Sequence, residues 1–336
     1  MESGRSLGPA PQDASIVLEG VTKGFGEAPV VADLTFSIRP GQIFGLIGPS
    51  GSGKTTAVRM VIGVHAPDSG RVTVLGREPR RFDNRIRARL GFMPQHFVLY
   101  PELSVRENLD FIASCYGVPL RGRAARLTHY LDFVELLEAR DTPAGNISGG
   151  MQRRLELACA LVHEPDVLVF DEPTAEIDPV LRQKFWDHFR SLRDQGRTLL
   201  VTTQYVTESE YCDEVAVPRE GRLIAIGAPD AVRRAAMGGE IIDVSADGLT
   251  RDHLAQIEAI DGVLRVQQSS ADEVRILVED ASTAMPAIVA TLQDAGIIIE
   301  NVTHYQPNFD EVFVLLMEAA QEREKSPAAG RRDGKR

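Results

Sequence analysis

Apolar runs and polar breaks along this 336-residue chain predict short buried strands alternating with helices from residue 16 to about residue 232. The predicted strands are the apolar runs at 16–18, 34–38, 43–47, 71–74, 90–93, 167–170, 198–202, 214–217 and 223–226. The predicted helices lie at 55–63, 106–116, 121–137, 151–163, 180–195 and 206–211. This alternation predicts an α/β layout, with ligand-binding loops at the carboxyl ends of the strands.

Two segments depart from that alternation. The stretch at 98–140 is nearly all helical in pattern, which predicts a helical insertion at about 96–145 in the α/β core. After Gly238 and Gly239 the predicted order is β-α-β-β-α-β with a closing helix, at 240–245, 251–260, 263–268, 273–279, 282–295, 297–305 and 309–317. That order is the ferredoxin-like α+β pattern.

These segments predict the domain organisation. We expect an α/β domain at 15–235 and a small α+β domain at 240–318, flanked by disordered tails at 1–14 and 322–336, the second of them basic. The small domain shows no catalytic cluster, so we expect it to serve regulation or dimerisation.

Composition narrows the functional classes. The chain is 43% hydrophobic and 25% charged, which is ordinary for a globular protein, and its net charge of −11 argues against a nucleic-acid partner. Its three cysteines are too scattered for a disulfide framework, and the first residues do not resemble a signal peptide. No apolar run is long enough to span a bilayer, so any role at a membrane would need another subunit.

A glycine-rich segment between a predicted strand and a predicted helix fits the phosphate-binding pattern G-x-x-x-x-G-K-[ST]. Its backbone N–H groups and the helix N-terminus would surround an anion, Lys54 would reach the β- and γ-phosphates, and Thr55 would bind Mg²⁺. A plain surface turn is the alternative. The candidate nucleotide-binding residues here are Gly48, Pro49, Ser50, Gly51, Ser52, Gly53, Lys54, Thr55 and Thr56.

Two acidic residues, Asp171 and Glu172, follow the buried strand predicted at 167–170. Phosphoryl transfer to water needs Mg²⁺ and a group that orients the water. Asp171 suits the metal, through a metal-bound water, and Glu172 suits the general base. A solvated turn is the alternative for an acidic pair considered alone.

A third motif, at 146–154, has Ser148 as a helix N-cap followed by Gly149 and Gly150. An ordinary helix cap is one interpretation. The other is a second anion site for a γ-phosphate, because the two glycines leave backbone N–H groups open.

The order of these motifs resembles the ATP-binding subunits of ABC transporters. Residues 48–55 resemble their Walker A loop, 147–151 their signature and 167–172 their Walker B strand. Gln95 resembles the Q-loop residue that binds nucleotide and metal, and 175–178 resemble the D-loop. Phe25 stands where the family stacks an aromatic ring on adenine. The C-terminal extension, with residues 308–313, resembles the tail of daunorubicin-resistance-type drug and lipid exporters.

Two positions depart from the family pattern. Met151 stands where the signature usually has Gln, and Gln204 stands where most relatives have a switch His. An amide can hydrogen-bond a γ-phosphate but cannot take a proton near neutral pH. We expect Gln204 to assist catalysis as a variant of that switch.

The resemblance implies a fold and a function. It implies a P-loop NTPase core of the ABC ATPase type, with a helical subdomain and the ferredoxin-like extension. It implies an ATPase, with ATP and Mg²⁺, that powers an exporter from the cytoplasmic side of the cell membrane through a separate multi-span subunit. A second ATPase chain, as a homodimer, would complete each site; a pair of different ATPases is the alternative. A non-transport ABC ATPase and an ATP-dependent regulatory module are the alternative functions.

Overall fold

The computed structural model describes residues 13–175, 177–270 and 272–325. The chain divides into two compact units, Met1–Ala228 and Pro229–Arg336. Most of the predicted disordered tails, at 1–12 and 326–336, lie outside the described residues, as does Glu176 of the predicted D-loop.

The first unit contains nine strands and six α-helices among its described residues. The strands are β1 (Ile16–Gly24), β2 (Pro29–Ile38), β3 (Ile43–Ile47), β4 (Ser69–Val74), β5 (Leu90–Met93), β6 (Val167–Asp171), β7 (Thr198–Thr203), β8 (Glu214–Arg219) and β9 (Arg222–Gly227). The helices are α1 (Lys54–Val61), α2 (Asn84–Arg87), α3 (Val105–Cys115), α4 (Arg123–Phe133), α5 (Gly149–Leu161) and α6 (Pro179–Asp194).

Two sheets organise this unit. A six-stranded sheet has the order β5-β6-β7-β3-β8-β9 and is parallel except for its last pair, and a three-stranded antiparallel sheet has the order β2-β1-β4. Every residue of β3, β6 and β7 is buried, as expected for parallel strands covered on both faces. Ile47 pairs with Thr203 and Asp171 with Thr202, so the three strand ends that bear the candidate motifs are neighbours.

The predicted helical insertion is present as α3 and α4, but two predicted helices were wrong in detail. The helix predicted at 121–137 is shorter, because it starts after Gly122 and stops before Glu135, which both have positive φ angles, 81° and 57°. The helix predicted at 206–211 is a 3₁₀ helix, Val206–Tyr211, with a bond from the N–H of Cys212 to the carbonyl of Ser209.

The second unit has the predicted ferredoxin-like order. It contains α7 (Pro229–Met237), β10 (Glu240–Ala246), α8 (Arg251–Glu258), β11 (Val263–Gln268), β12 (Glu273–Val278), α9 (Ala281–Asp294), β13 (Ile299–Tyr305) and α10 (Phe309–Lys325). Its antiparallel sheet has the order β11-β12-β10-β13. The core of this unit includes Ile242, Ile276, Ile288 and Leu292, all essentially inaccessible to solvent.

Both ends of the second unit differ from the prediction. Helix α7 packs against α10, so the division between the units precedes the domain limit predicted at 235. Helix α10 runs beyond the predicted end at 317 and into the range predicted as a tail, because 318–325 are rich in helix-forming Ala, Glu, Gln and Lys. Among the described residues, every helix is too short or too polar to cross a bilayer.

Candidate active site

The loop between β3 and α1 is shaped by glycines that no other residue replaces easily. Gly53 has a φ of 100°, and a Cβ there would lie 2.8 Å from the carbonyl oxygen of Val30. A Cβ on Gly48 would lie 2.8 Å from the carbonyl oxygen of Pro218. The hydroxyl of Ser52 is buried and has no hydrogen-bond partner among the described residues. A buried orphan donor in a glycine-rich loop at a helix N-terminus fits a phosphate.

Lys54, the first residue of α1, points into this loop. Its side chain is 3% exposed, and its ammonium donates to the carbonyls of Gly48 at 2.8 Å and Pro49 at 3.0 Å. Its Nζ lies 3.5 Å from a carboxylate oxygen of Glu172. Burial lowers the pKa of Lys54, and the nearby carboxylates of Glu172 and Asp171 oppose that effect. A buried cation held on backbone carbonyls is ready to exchange them for phosphate oxygens.

Asp171 is the last residue of β6, and its side chain accepts hydrogen bonds from two hydroxyl groups. Thr55 donates to its Oδ1 at 3.2 Å, and Thr202 donates to the same oxygen at 2.6 Å. Hydroxyl and carboxylate oxygens are the ligand types that Mg²⁺ prefers, and Mg²⁺ commonly combines one or two such ligands with substrate phosphates. Thr55 and Asp171 therefore fit this ion beside the phosphate loop.

Glu172 adopts a backbone conformation that is unusual for its residue type. Its φ is 49°, in the left-handed region, and the residue is 7% exposed. Its N–H reaches the hydroxyl of Thr202 at 2.9 Å, while its side chain accepts from the Gln95 amide at 3.0 Å and contacts Lys54. Such strain costs roughly 1–3 kcal/mol and persists where the surrounding structure enforces it, often at functional sites. The structure thus joins four predicted residues, Lys54, Gln95, Asp171 and Glu172, into one cluster.

The third predicted motif forms a separate, more exposed surface. Ser148 is the N-cap of α5, and its hydroxyl accepts from the N–H of Met151 at 3.3 Å. Ser148 and Gly149 are exposed and Gly150 is half-buried. Open backbone donors at an exposed helix N-terminus can bind an anion that reaches this surface from outside.

The two remaining predicted residues lie at exposed positions. Gln204 directly follows β7, whose last residue, Thr203, accepts a hydrogen bond from the N–H of Gly48 at 3.1 Å. Gln204 therefore lies next to the start of the phosphate loop. Phe25 is 61% exposed. His65 meets the edge of its ring, with centroids 5.0 Å apart, and the Lys23 ammonium lies 5.4 Å from the ring centroid, so much of the ring is open for stacking.

Two residues of the cluster had not been predicted. Thr202 bonds to both acids, and its only sequence signal is a polar end on an otherwise apolar strand. Arg153 on α5 donates to the backbone carbonyls of Gln95 and Glu172. It gave no sequence signal, because these contacts join segments that are distant along the chain.

Comparisons with known proteins agree on one family. A family described as ABC transporter matches residues 31–175. The chain is 41% identical to the Nod factor export ATP-binding protein I of Paraburkholderia xenovorans (strain LB400), over 73% of this chain and 82% of that protein. It is 37% identical to a probable multidrug ABC transporter ATP-binding protein of Escherichia coli (strain K12), over 66% of this chain and 39% of that protein.

Solved structures give the same result. One is an ATP binding subunit of an ABC transporter, with a TM-score of 0.61 and 27% identity, covering 66% of this chain and 92% of that one. Another is a dimeric ATP-binding cassette in a post-hydrolysis state bound to ADP and Pi, with a TM-score of 0.59 and 25% identity, covering 63% of this chain and 98% of that one.

Proposed function

The chain belongs to the family of ABC transporter ATP-binding proteins, and we propose that it hydrolyses ATP at the Lys54–Asp171–Glu172 cluster to drive export through a separate membrane-spanning subunit. The resemblance inferred from the motifs is therefore confirmed, and so is the predicted ATPase activity. The observation that carries the assignment of the site is the geometry of Glu172, a buried carboxylate beside Lys54 and Gln95.

Each residue of the cluster has a step to perform. Water attacks the γ-phosphorus, the bond to the β,γ-bridging oxygen breaks, and the Glu172 carboxylate accepts the proton that the water loses. Lys54 neutralises charge on the β- and γ-phosphates. Thr55, Asp171 and Gln95 would hold Mg²⁺, which neutralises charge on the phosphate oxygens when it is bound.

The exposed signature surface of Ser148, Gly149 and Gly150 supports a dimer with shared sites. Each chain has one phosphate loop and one such surface, so two copies arranged head to tail form two complete sites. A related cassette is itself dimeric. We expect Gln204 to contact the γ-phosphate and the D-loop of the second copy, where Asp178 caps α6.

The membrane partner is the second part of the proposal. The names of the relatives describe export of Nod factor and multidrug transport, while no described helix of this chain can cross a membrane. We place the chain at the cytoplasmic face of the cell membrane, where ATP is available, bound to a multi-span subunit. No nucleic acid enters this mechanism.

One experiment tests both parts. The full chain, purified from membranes in mild detergent, should carry with it a protein with several membrane-spanning helices. It should release phosphate from ATP with Mg²⁺ and fall to the uncatalysed background in EDTA. Metal-independent hydrolysis would contradict the assigned site. An ATPase rate unaffected by removal of the copurified protein would contradict the membrane coupling.

The same experiment tests the second unit when it is repeated with a truncated chain that ends at Ala228 and lacks this unit. We propose that this unit stabilises the dimer or gates transport, because it has its own core and lies apart from the cluster in sequence. The truncated chain should still bind ATP but dimerise less or couple less to its partner. Unchanged dimerisation and unchanged stimulation by the membrane protein would reject this role.

Gln204→Ala should lower the rate of phosphate release roughly ten- to a thousand-fold, the effect of losing one preorganised hydrogen-bond donor. Gln204→His should retain activity, because imidazole can also donate, and should add a pH dependence between about pH 6 and 7. Steady-state rates across that pH range are the measurement. Wild-type kinetics for the alanine variant would make Gln204 a spectator.

A further inference from the structure

Arg153, on the second turn of α5, holds the loop that carries Gln95. Its side chain is 12% exposed, and its guanidinium donates to the carbonyl of Pro94 at 2.8 Å, to the carbonyl of Gln95, and to the carbonyl of Glu172 at 3.5 Å. One side chain therefore contacts the backbone of both Gln95 and Glu172, two residues of the proposed ATP site. Its planar, five-donor head allows several such bonds at once.

Glu156, one turn further along α5, binds both Arg153 and the same loop. Its side chain is 2% exposed, one oxygen accepts from Arg153 at 2.9 Å, and the other accepts from the N–H of Val98 at 3.2 Å. Burial raises the pKa of Glu156, and the bonds from Arg153 and Val98 oppose that effect. We call Arg153 and Glu156 the α5 pair. It fixes the loop at 94–98 to the helix through charge-assisted bonds with little access to water.

The position of the pair on α5 links two different sites. Ser148, the N-cap of the same helix, is five residues before Arg153, or about 7.5 Å along the helix axis. In the dimer proposed above, Ser148 serves the ATP bound to the other copy. Gln95 and Glu172 serve the ATP bound to the chain itself.

We propose that the α5 pair couples the two ATP sites of the dimer, so that occupancy of one site changes the position of Ser148 at the other. This inference rests on the shared-site dimer proposed above. A shift of Gln95 toward bound nucleotide pulls on the pair through the bonds that join it to the loop at 94–98. Losing those bonds would leave buried charged groups short of partners, which is unfavourable. The rigid helix then carries the displacement to its N-cap. Arg153 and Glu156 act as positioning residues, since neither contacts ATP.

The test measures equilibrium ATP binding in the Glu172→Gln background, where turnover does not interfere. With the α5 pair intact, binding should be cooperative, with a Hill coefficient above 1 and at most about 2, the number of sites. The double variant Arg153→Met/Glu156→Leu removes both charges and leaves neither unpaired, so its melting temperature should stay close to that of the parent. Its Hill coefficient should fall to about 1, and half-saturation should need about five-fold or more ATP.

A control is Arg154→Met, which makes on the same helix the same Arg→Met replacement as the double variant makes at position 153. Arg154 donates to the carbonyl of Val134 at 3.3 Å and to the carboxylate of Glu135 at 3.1 Å, and these residues follow α4. This variant should keep the cooperativity. If the first double variant does not fold, Arg153→Lys/Glu156→Gln replaces it, because an ammonium cannot span the carbonyls that the guanidinium spans.

Three results would overturn the coupling. They are a Hill coefficient of about 1 with the pair intact, an unchanged coefficient in a folded double variant, and an equal loss in Arg154→Met. The dimer proposal itself is tested separately, by mixing Lys54→Ala chains with Ser148→Arg chains. Restored activity in that mixture, together with any of these three results, rejects the coupling and retains the shared sites.

Discussion

We expect Glu172→Gln to abolish ATP turnover while ATP still binds and holds the dimer closed. The amide keeps the shape of the side chain and still accepts a hydrogen bond from Gln95, which lies 3.0 Å away in the parent protein. It cannot accept the proton of the attacking water. Loss of a general base costs about 10²- to 10⁴-fold in rate. Phosphate release measures turnover, and equilibrium binding and light scattering measure nucleotide affinity and the dimer.

The same substitution changes the neighbouring lysine. The Glu172 carboxylate raises the pKa of Lys54 against the effect of burial, so its removal lowers that pKa further. Since a protonated lysine binds phosphate, ATP binding by Glu172→Gln should weaken with rising pH before that of the wild-type protein does. Measuring ATP binding and turnover together at neutral pH therefore separates the catalytic effect of the substitution from its effect on Lys54.

Glu164→Gln is the matched control for this prediction. Glu164 also has a left-handed backbone, with a φ of 56°, but its side chain lies near Arg126, at 3.5 Å. The substitution makes the same change in charge in the same backbone conformation. Its turnover should be that of the wild-type protein. Near-normal steady-state hydrolysis by Glu172→Gln would remove Glu172 from the role of base.

Lys54→Ala should weaken ATP binding itself, by roughly ten- to a hundred-fold, because one or more hydrogen bonds from a charged donor are lost at about 1.5–3 kcal/mol each. The variant also removes the two bonds from Lys54 to the carbonyls of Gly48 and Pro49. Equilibrium titration with ATP measures the loss. Lys184→Ala is the control: Lys184 is 46% exposed in an ion pair with Glu135, and such pairs contribute little.

Mixing two inactive variants tests whether the two chains of the dimer share their ATP sites. Lys54→Ala chains lack a working phosphate loop, and Ser148→Arg chains lack a working helix N-terminus at the signature surface. A mixed dimer has one site with both parts intact, so the mixture should hydrolyse ATP faster than either variant alone. A mixture no more active than its components would mean that each chain completes its own site.

Local sequence patterns predicted best the short strands that are buried along most or all of their length. Strands β3 and β5 have the predicted ends, because an apolar run stops where the chain meets polar residues at the sheet edge. Strand β1 extends six residues further than predicted, since its second half mixes polar and apolar residues. The end of α4 depends on the left-handed backbone of Glu135, which a side-chain pattern does not report.

The residues of the candidate site also fall into those that local sequence patterns predicted and those that they did not. Lys54, Asp171 and Glu172 are contributed by contiguous motifs, so the order of residues along the chain was enough to predict them. The bonds of Thr202 and Arg153 depend on which strands and loops become neighbours in the folded unit. Sheet order decides that, and no single segment specifies it.

The left-handed backbone of Glu172 sets thermal stability against catalytic activity in this protein. Glycine adopts that conformation without steric cost, so replacing the glutamate relieves strain in the folded state while removing the base. Laboratory selection for heat resistance alone would therefore favour inactive sequences at this position. An engineered thermostable exporter needs a screen that scores transport at every round.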